Sequence, residues 1–180
     1  MADASVTIDE RDALEMVQVS ATAVAAGPVR RSIERVLGAS PPEAPNRFAQ
    51  SGETRIVWIG PHRWLVVMPR RQAFDLAAEL SASIKDDGAA VVDLGASRRV
   101  FTLSGPASRG VLAKALPLDV DPTKFLTGHC AQSAMEGIGV LLLATAADAF
   151  ELFVYRGFAQ HFLETLIDLS GEFDSNRSAA

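Results

Sequence analysis

The 180 residues are 48% apolar and 22% charged, with a formal net charge of −5 and one cysteine. That balance is globular, and a chain of this size buries a sizeable core without disulfides or metals. The negative charge argues against nucleic-acid binding, which needs a basic surface to displace counterions. The lone Cys130 rules out an internal disulfide framework.

Residues 1–12 are polar and read as a flexible tail. They lack the basic start and apolar run of a secretory signal. "LEMVQVSA" (residues 14–21) alternates apolar and polar side chains and predicts a strand. "GPVRRSIERVLG" (residues 27–38) predicts a helix, with Pro28 in its first turn, Gly38 at its exit, and Val29, Ile33, Val36 and Leu37 on one face. Residues 39–53 form a loop rich in proline and polar residues. "TRIVWIG" and "RWLVVMP" are β-rich runs joined at Pro61-His62, a hairpin pattern that sets Trp58 and Trp64 nearly opposite each other. Residues 70–85 predict an amphipathic helix with Phe74, Ala77, Ala78 and Ile84 as its stripe, broadened by Leu76 and Leu80. Residues 86–88 make a turn.

The second half opens with strands at residues 89–94 and 98–105. A helix follows over residues 105–116, and then a stretch that is mostly loop, with a short strand near residues 131–135. "IGVLLLAT" and "AFELFVY" form a second hairpin. Residues 156–169 predict a closing helix with Phe158, Phe162, Leu163, Leu166 and Leu169 turned inward. Residues 171–180 read as a second flexible tail. The halves share one order, so residues 14–86 and 89–170 are read as two similar βαββα units. The fold class is α+β, with largely antiparallel sheets packed against helices.

Chemistry-bearing patterns are sparse. His62, His129 and His161 are scattered, and only His129-Cys130 are close, whereas a zinc site needs three or four converging ligands. No metal site is expected. Cys130 reads as a small, partly buried thiol rather than a nucleophile with a base in reach. Ser104 lacks the Gly-x-Ser-x-Gly elbow of a serine hydrolase. In "EGIGVLLL" Leu142 stands where a dinucleotide fingerprint has its third glycine, and the run leads into a strand rather than a helix. No catalytic residue and no bound nucleotide or flavin is expected on this chain.

The arginine pairs Arg30-Arg31, Arg70-Arg71 and Arg98-Arg99 read first as solvated pairs and secondly as interface residues, since arginine forks onto carboxylates. Trp58 and Trp64 read as packing or interface aromatics ahead of a stacking platform for a pteridine or base. The longest apolar run, near residues 138–147, is well short of the roughly 20 residues of a bilayer span. A soluble, cytoplasmic protein without membrane or nucleic-acid contact is expected.

Several segments carry a family resemblance. They are "APNR" (residues 44–47), "WIGPHRWLVV", "VVDLGASRRVFTLSGPASRGVLAKALPLDV", "FLTGHCAQSAMEGIGVLL" and "FELFVYRGFAQHFLETL". Their order and spacing resemble the gamma subunit of heterotetrameric sarcosine oxidase over about residues 14–168. His62 stands where that family's hairpin often has an acid, and Gly95-Ala96-Ser97 replaces its more usual segment after Asp-Leu. The resemblance implies the folate-binding fold of aminomethyltransferases and a non-catalytic subunit partnered by alpha, beta and delta subunits. It also implies FAD, FMN, NAD and tetrahydrofolate on those partners, in a complex that oxidatively demethylates sarcosine to glycine with hydrogen peroxide. The alternatives are a stand-alone folate-binding aminomethyltransferase-like protein, for which Asp93 is the one candidate pterin ligand, or an accessory module of another amine-oxidising flavoprotein complex.

Overall fold

The computed structural model describes residues 5–85 and 87–173. Its strands and helices run in the order β1 (Thr7–Arg11), β2 (Leu14–Ala21), α1 (Ala26–Leu37), β3 (Phe48–Ser51), β4 (Thr54–Gly60), β5 (Arg63–Pro69), α2 (Leu76–Ser83), β6 (Ala89–Asp93), β7 (Arg98–Ser104), α3 (Ser108–Ala115), β8 (Cys130–Met135), β9 (Ile138–Ala146), β10 (Ala149–Tyr155) and α4 (Ala159–Ser170). The α+β class with two similar units holds: two five-stranded antiparallel sheets form, in the orders β1-β7-β10-β9-β8 and β3-β4-β5-β2-β6. Read from opposite ends, these are one topology used twice.

Each sheet takes its outermost strand from the other half of the sequence. β1 pairs with β7, from Thr7 opposite Ser104 to Arg11 opposite Val100. β6 pairs with β2, from Val17 opposite Asp93 to Ala21 opposite Ala89. The first compact unit is therefore Ala13–Ala96, and the second combines residues 5–12 with residues 97–173. Two expectations are corrected by this. Within the presumed tail 1–12, residues 7–11 form a strand, and residues 89–93 close the first sheet rather than open the second. Neither pairing is legible locally, because "TIDER" carries a polar, charged pattern and its partner is far away in sequence.

In the first unit, α1 and α2 cover one face of the sheet. Val29 and Ile33 of α1 and Leu76 and Leu80 of α2 meet Val17, Val19, Ile56, Trp64, Val66 and Met68. The Ser32 hydroxyl donates to the Ser83 carbonyl at 3.1 Å, tying the helices together. At the exit of α1 the Gly38 N–H donates to the Glu34 carbonyl. β4 and β5 are buried along nearly their whole length, which is why they read as continuous apolar runs instead of an alternation.

Helix α2 is shorter than the predicted residues 70–85. Ala73 sits at φ 59°, outside the helical region. The Asp75 carboxylate accepts the Ala78 N–H at 2.9 Å, and Glu15 accepts the Leu76 N–H at 3.1 Å. These are N-terminal caps, and they start the helix at Leu76. Phe74 joins the core from the preceding loop, and so it mimics a helical stripe. The predicted turn at residues 86–88 falls partly outside the described residues, since Asp86 is not among them.

In the second unit, α3 and α4 pack on Phe101, Leu103, Leu142, Phe150, Leu152 and Val154. Phe101 and Phe162 stack with ring centroids 5.9 Å apart. Gly105, at φ 115°, delays α3 until Ser108. A Cβ there would lie 2.7 Å from the Ser5 carbonyl oxygen, so only glycine lets the N-terminal segment pass. The Ala107 N–H donates to that same oxygen at 3.0 Å. Likewise a Cβ on Gly110 would lie 2.7 Å from the Phe173 ring, which packs against the core. Phe173 is thus partly buried against the core, a correction to the tail expected over residues 171–180; residues 174–180 lie outside the described set. The chain enters α4 through a 3-10 turn, Arg156–Phe158, which leaves Phe158 55% exposed rather than inward.

The contrast between Phe158 and Phe162 is measurable. Phe162→Ala is expected to cost about 3–5 kcal/mol, whereas Phe158→Ala stays within about 0.5 kcal/mol as a surface change. Urea unfolding of the two variants against the wild type checks both values.

Candidate functional site

The polar and aromatic residues singled out above fall into three places. The first is the hairpin of β4 and β5. Its register sets Trp58 opposite Trp64, and the ladder shifts by one residue between Trp58 and Gly60. His62 takes φ 54° at the two-residue turn. Trp64 is 2% exposed and its indole N–H donates to the Pro42 carbonyl at 2.9 Å. Trp58 is half-buried, and its backbone N–H donates to the Arg47 carbonyl at 2.9 Å. Both indoles border a recess of about 330 Å³, walled by Pro42, Pro45 and Pro61 and by the first turn of α1. Arg30 stands at its rim, ion-paired with Glu43 and donating to the Pro41 carbonyl. The tryptophans therefore join the proline loop to the sheet: a buried indole whose N–H has a partner is both packing mass and anchor.

The second place is a smaller recess of about 230 Å³ bordered by Glu15, Arg70, Phe74, Asp75 and Asp93. Its carboxylates already have backbone partners. Glu15 and Asp75 cap α2, and Asp93 accepts the Gly95 N–H at 2.8 Å. Asp93 so holds the turn that leaves β6. Arg70 is exposed, its backbone N–H donating to the Ala13 carbonyl at 2.6 Å, and Arg71 is exposed beside it.

The third place is the end of β7 and β10. Arg99 forms ion pairs with Glu10 at 2.8 Å and Asp12 at 3.4 Å, fastening the exchanged strand β1. Arg98 lies over the Tyr155 ring, 4.8 Å from its centroid. Burial lowers the Arg98 guanidinium from its ordinary value, opposed by the neighbouring Tyr155 hydroxyl. The members of the pair 98–99 thus do different things.

Arg11 was not singled out from the sequence. It donates to Glu151 at 2.6 Å, and Glu151 is 3% exposed in the middle of β10. A buried carboxylate requires such a partner, but no local pattern announces it. Cys130 is buried, and His129 meets Phe125 edge-on at 5.8 Å. Among the described residues no three of histidine, cysteine, aspartate and glutamate gather as metal ligands. No helix among them is long and apolar enough to cross a membrane.

A doubled antiparallel α+β chain whose singled-out carboxylates serve its own caps, turns and ion pairs belongs to a recognisable fold class. Aminomethyltransferase T of the glycine cleavage system from Bartonella henselae superposes with a TM-score of 0.66 over 91% of this chain and 46% of that one. At 17% identity this is a likeness of fold alone.

The family itself is narrower. The model of the family described as "Sarcosine oxidase, gamma subunit family" matches residues 21–172, and the chain belongs to that family. It is 32% identical over 170 residues to the sarcosine oxidase subunit gamma of Corynebacterium sp. (strain P-1), spanning 94% of this chain and 83% of the relative. It is also 32% identical over 159 residues to the protein of that name from Arthrobacter sp., spanning 88% and 77%. Among solved structures, the heterotetrameric sarcosine oxidase from Corynebacterium sp. U-96, in complex with pyrrole 2-carboxylate, matches with a TM-score of 0.86 at 27% identity. That match covers 97% of this chain and 86% of the other.

The two tryptophans separate in their expected behaviour. Trp64→Ala empties a fully buried site and removes the bond to Pro42, at an expected cost of about 3–5 kcal/mol. Trp58→Ala costs less than half of that, because its ring is half-buried. Thermal unfolding of the two variants, followed by circular dichroism, tests the order.

Proposed function

We propose that this chain is the non-catalytic gamma subunit of a heterotetrameric sarcosine oxidase. In this reading the complex demethylates sarcosine to glycine, forms hydrogen peroxide and passes the one-carbon unit to tetrahydrofolate. FAD, FMN, NAD and the folate sit on the alpha, beta and delta partners, and the assembly is cytoplasmic. The observation that carries the reading is the near full-length superposition on a chain of heterotetrameric sarcosine oxidase, with a TM-score of 0.86 over 97% of this chain. The engagement of Glu15, Asp75, Asp93 and Trp64 in backbone hydrogen bonds agrees with it, because groups held this way serve the fold. The contribution of the chain is then surface offered to a flavoprotein rather than a reacting group.

The test is affinity purification of the tagged full chain from cells co-expressing alpha-, beta- and delta-like subunits, with the flavin absorbance of the eluate measured. Flavin is expected to co-elute with the tag. A chain that elutes alone from cells containing all the partners overturns the reading.

The folate-binding alternative is separated by calorimetry. With Asp93 committed to the Gly95 N–H, titration of the isolated chain with tetrahydrofolate is expected to release no binding heat. Saturable heat that Asp93→Asn abolishes favours the alternative.

A further inference from the structure

β1 is held differently from its sheet neighbours. Thr7–Arg11 make a full antiparallel ladder with β7. They bury no side chain completely, whereas β7, β9 and β10 each bury several. Val6, just ahead of the strand, and Ile8 are its apolar contacts with the core, and both are partly buried. Polar groups supply the rest. At the N-terminal end the Ser5 carbonyl accepts the Ala107 N–H at 3.0 Å, and farther along the Asp9 carbonyl accepts the Thr102 hydroxyl at 3.3 Å. At the C-terminal end two ion pairs clasp the strand from both sides, because successive side chains point to opposite faces. Arg11 meets the buried Glu151 on one face, and Glu10 meets Arg99 on the other, with Asp12 joining Arg99.

The link from β1 to β2 is two residues, Asp12 and Ala13. Ala13 sits at φ 53°, a left-handed conformation that strains an alanine but not a glycine. Its carbonyl is pinned by the Arg70 N–H at 2.6 Å. Strain is thus concentrated at the point about which β1 would turn, and it works against the closed strand. A segment with little buried apolar surface opens at a lower free energy than the core behind it. The clasps also differ in kind. The Arg99 pairs lie near solvent and are weakened by salt, while Arg11–Glu151 is largely buried and resists it.

We propose that β1 is a latch. It swings away from β7 as a unit, turning at Asp12–Ala13, while β7, β10, β9 and β8 stay paired, and ionic strength sets how often it opens. Opening uncovers two things together: the row of β7 backbone donors and acceptors opposite β1, and the carboxylate of Glu151. The closed latch keeps that row from pairing with other chains. The latch is a property of this chain's own residues and stands apart from the gamma-subunit reading.

Residue-resolved amide hydrogen exchange on the full chain, read by NMR, compares two sets of N–H groups within β7: those that face β1 and those that face β10. The two alternate along an antiparallel strand, so each is the other's control. The set facing β1 is expected to exchange about tenfold faster or more, with little response to low urea. Raising NaCl from about 0.05 M to about 0.5 M is expected to speed that set about threefold and to leave β9 and β10 unchanged. Arg99→Ala gives a similar gain and removes most of the salt response. Ala13→Gly slows the set about threefold, because the closed state loses its strain. Lys114→Ala, which breaks the exposed pair with Glu172 elsewhere in the unit, leaves it unchanged. Equal exchange of the two sets, with the same urea dependence, overturns the proposal, since β1 then leaves only when the whole sheet opens. Faster exchange in Ala13→Gly overturns it too, as does a β1-facing set that ignores salt. An Arg99→Ala variant that speeds β9 and β10 by the same factor does so as well, because the pair then serves the whole unit.

Discussion

Antiparallel pairing between strands far apart in sequence is the constraint on which both sheets depend. β7 has β10 on one side and would be an open edge on the other without β1, and β2 stands in the same relation to β6. An uncovered row of backbone donors and acceptors is a liability that the exchanged strands remove. The price is paid in loop closure, because Thr7 must find Ser104 across most of the chain. Much of the polar detail serves this step. The Arg70 N–H holds Ala13 at the start of β2, and the Leu94 N–H holds Met16 at the end of β6. Asp93 fixes the turn at Gly95, Gly105 admits Ser5, and Arg11 and Arg99 fasten β1 by ion pairs.

That use of polar groups bears on function. A catalytic carboxylate must be available to a substrate proton or a developing charge, and its pKa must suit that task. Glu15, Asp75 and Asp93 border a recess that could hold a small molecule, yet each accepts a backbone N–H that would otherwise lack a partner. The hairpin tryptophans follow the same logic. They border the larger recess, but Trp64 is buried among sheet and helix side chains and tethers the proline loop through Pro42. Arg98 and Arg99 at the end of β7 are likewise taken up by the fold, one over the Tyr155 ring and the other by Glu10 and Asp12.

Much of the fold was legible residue by residue. β2, β4 and β5 stand where apolar and β-branched runs place them, because a strand of five to eight residues is specified by its own side-chain pattern and its flanking turns. The helix α1 is announced by Pro28 and Gly38. The sequence pattern puts helix starts at residues 70, 105 and 156, ahead of the observed Leu76, Ser108 and Ala159, since a periodic stripe does not show where the backbone becomes helical. Ala73 at φ 59°, Gly105 at φ 115° and the turn before Ala159 decide that. β3, at four residues, is too short for any period to register.

The family resemblance, the α+β class, the paired tryptophans and the doubled order of elements are properties of local pattern and motif order, and they can be read along the chain. The strand exchange, the Arg11–Glu151 pair, Phe173 against Gly110, and the division of Arg98 and Arg99 between a ring and two carboxylates are not. Each joins residues whose neighbourhoods carry no mark of the other, so only the packing of the folded chain selects the partner.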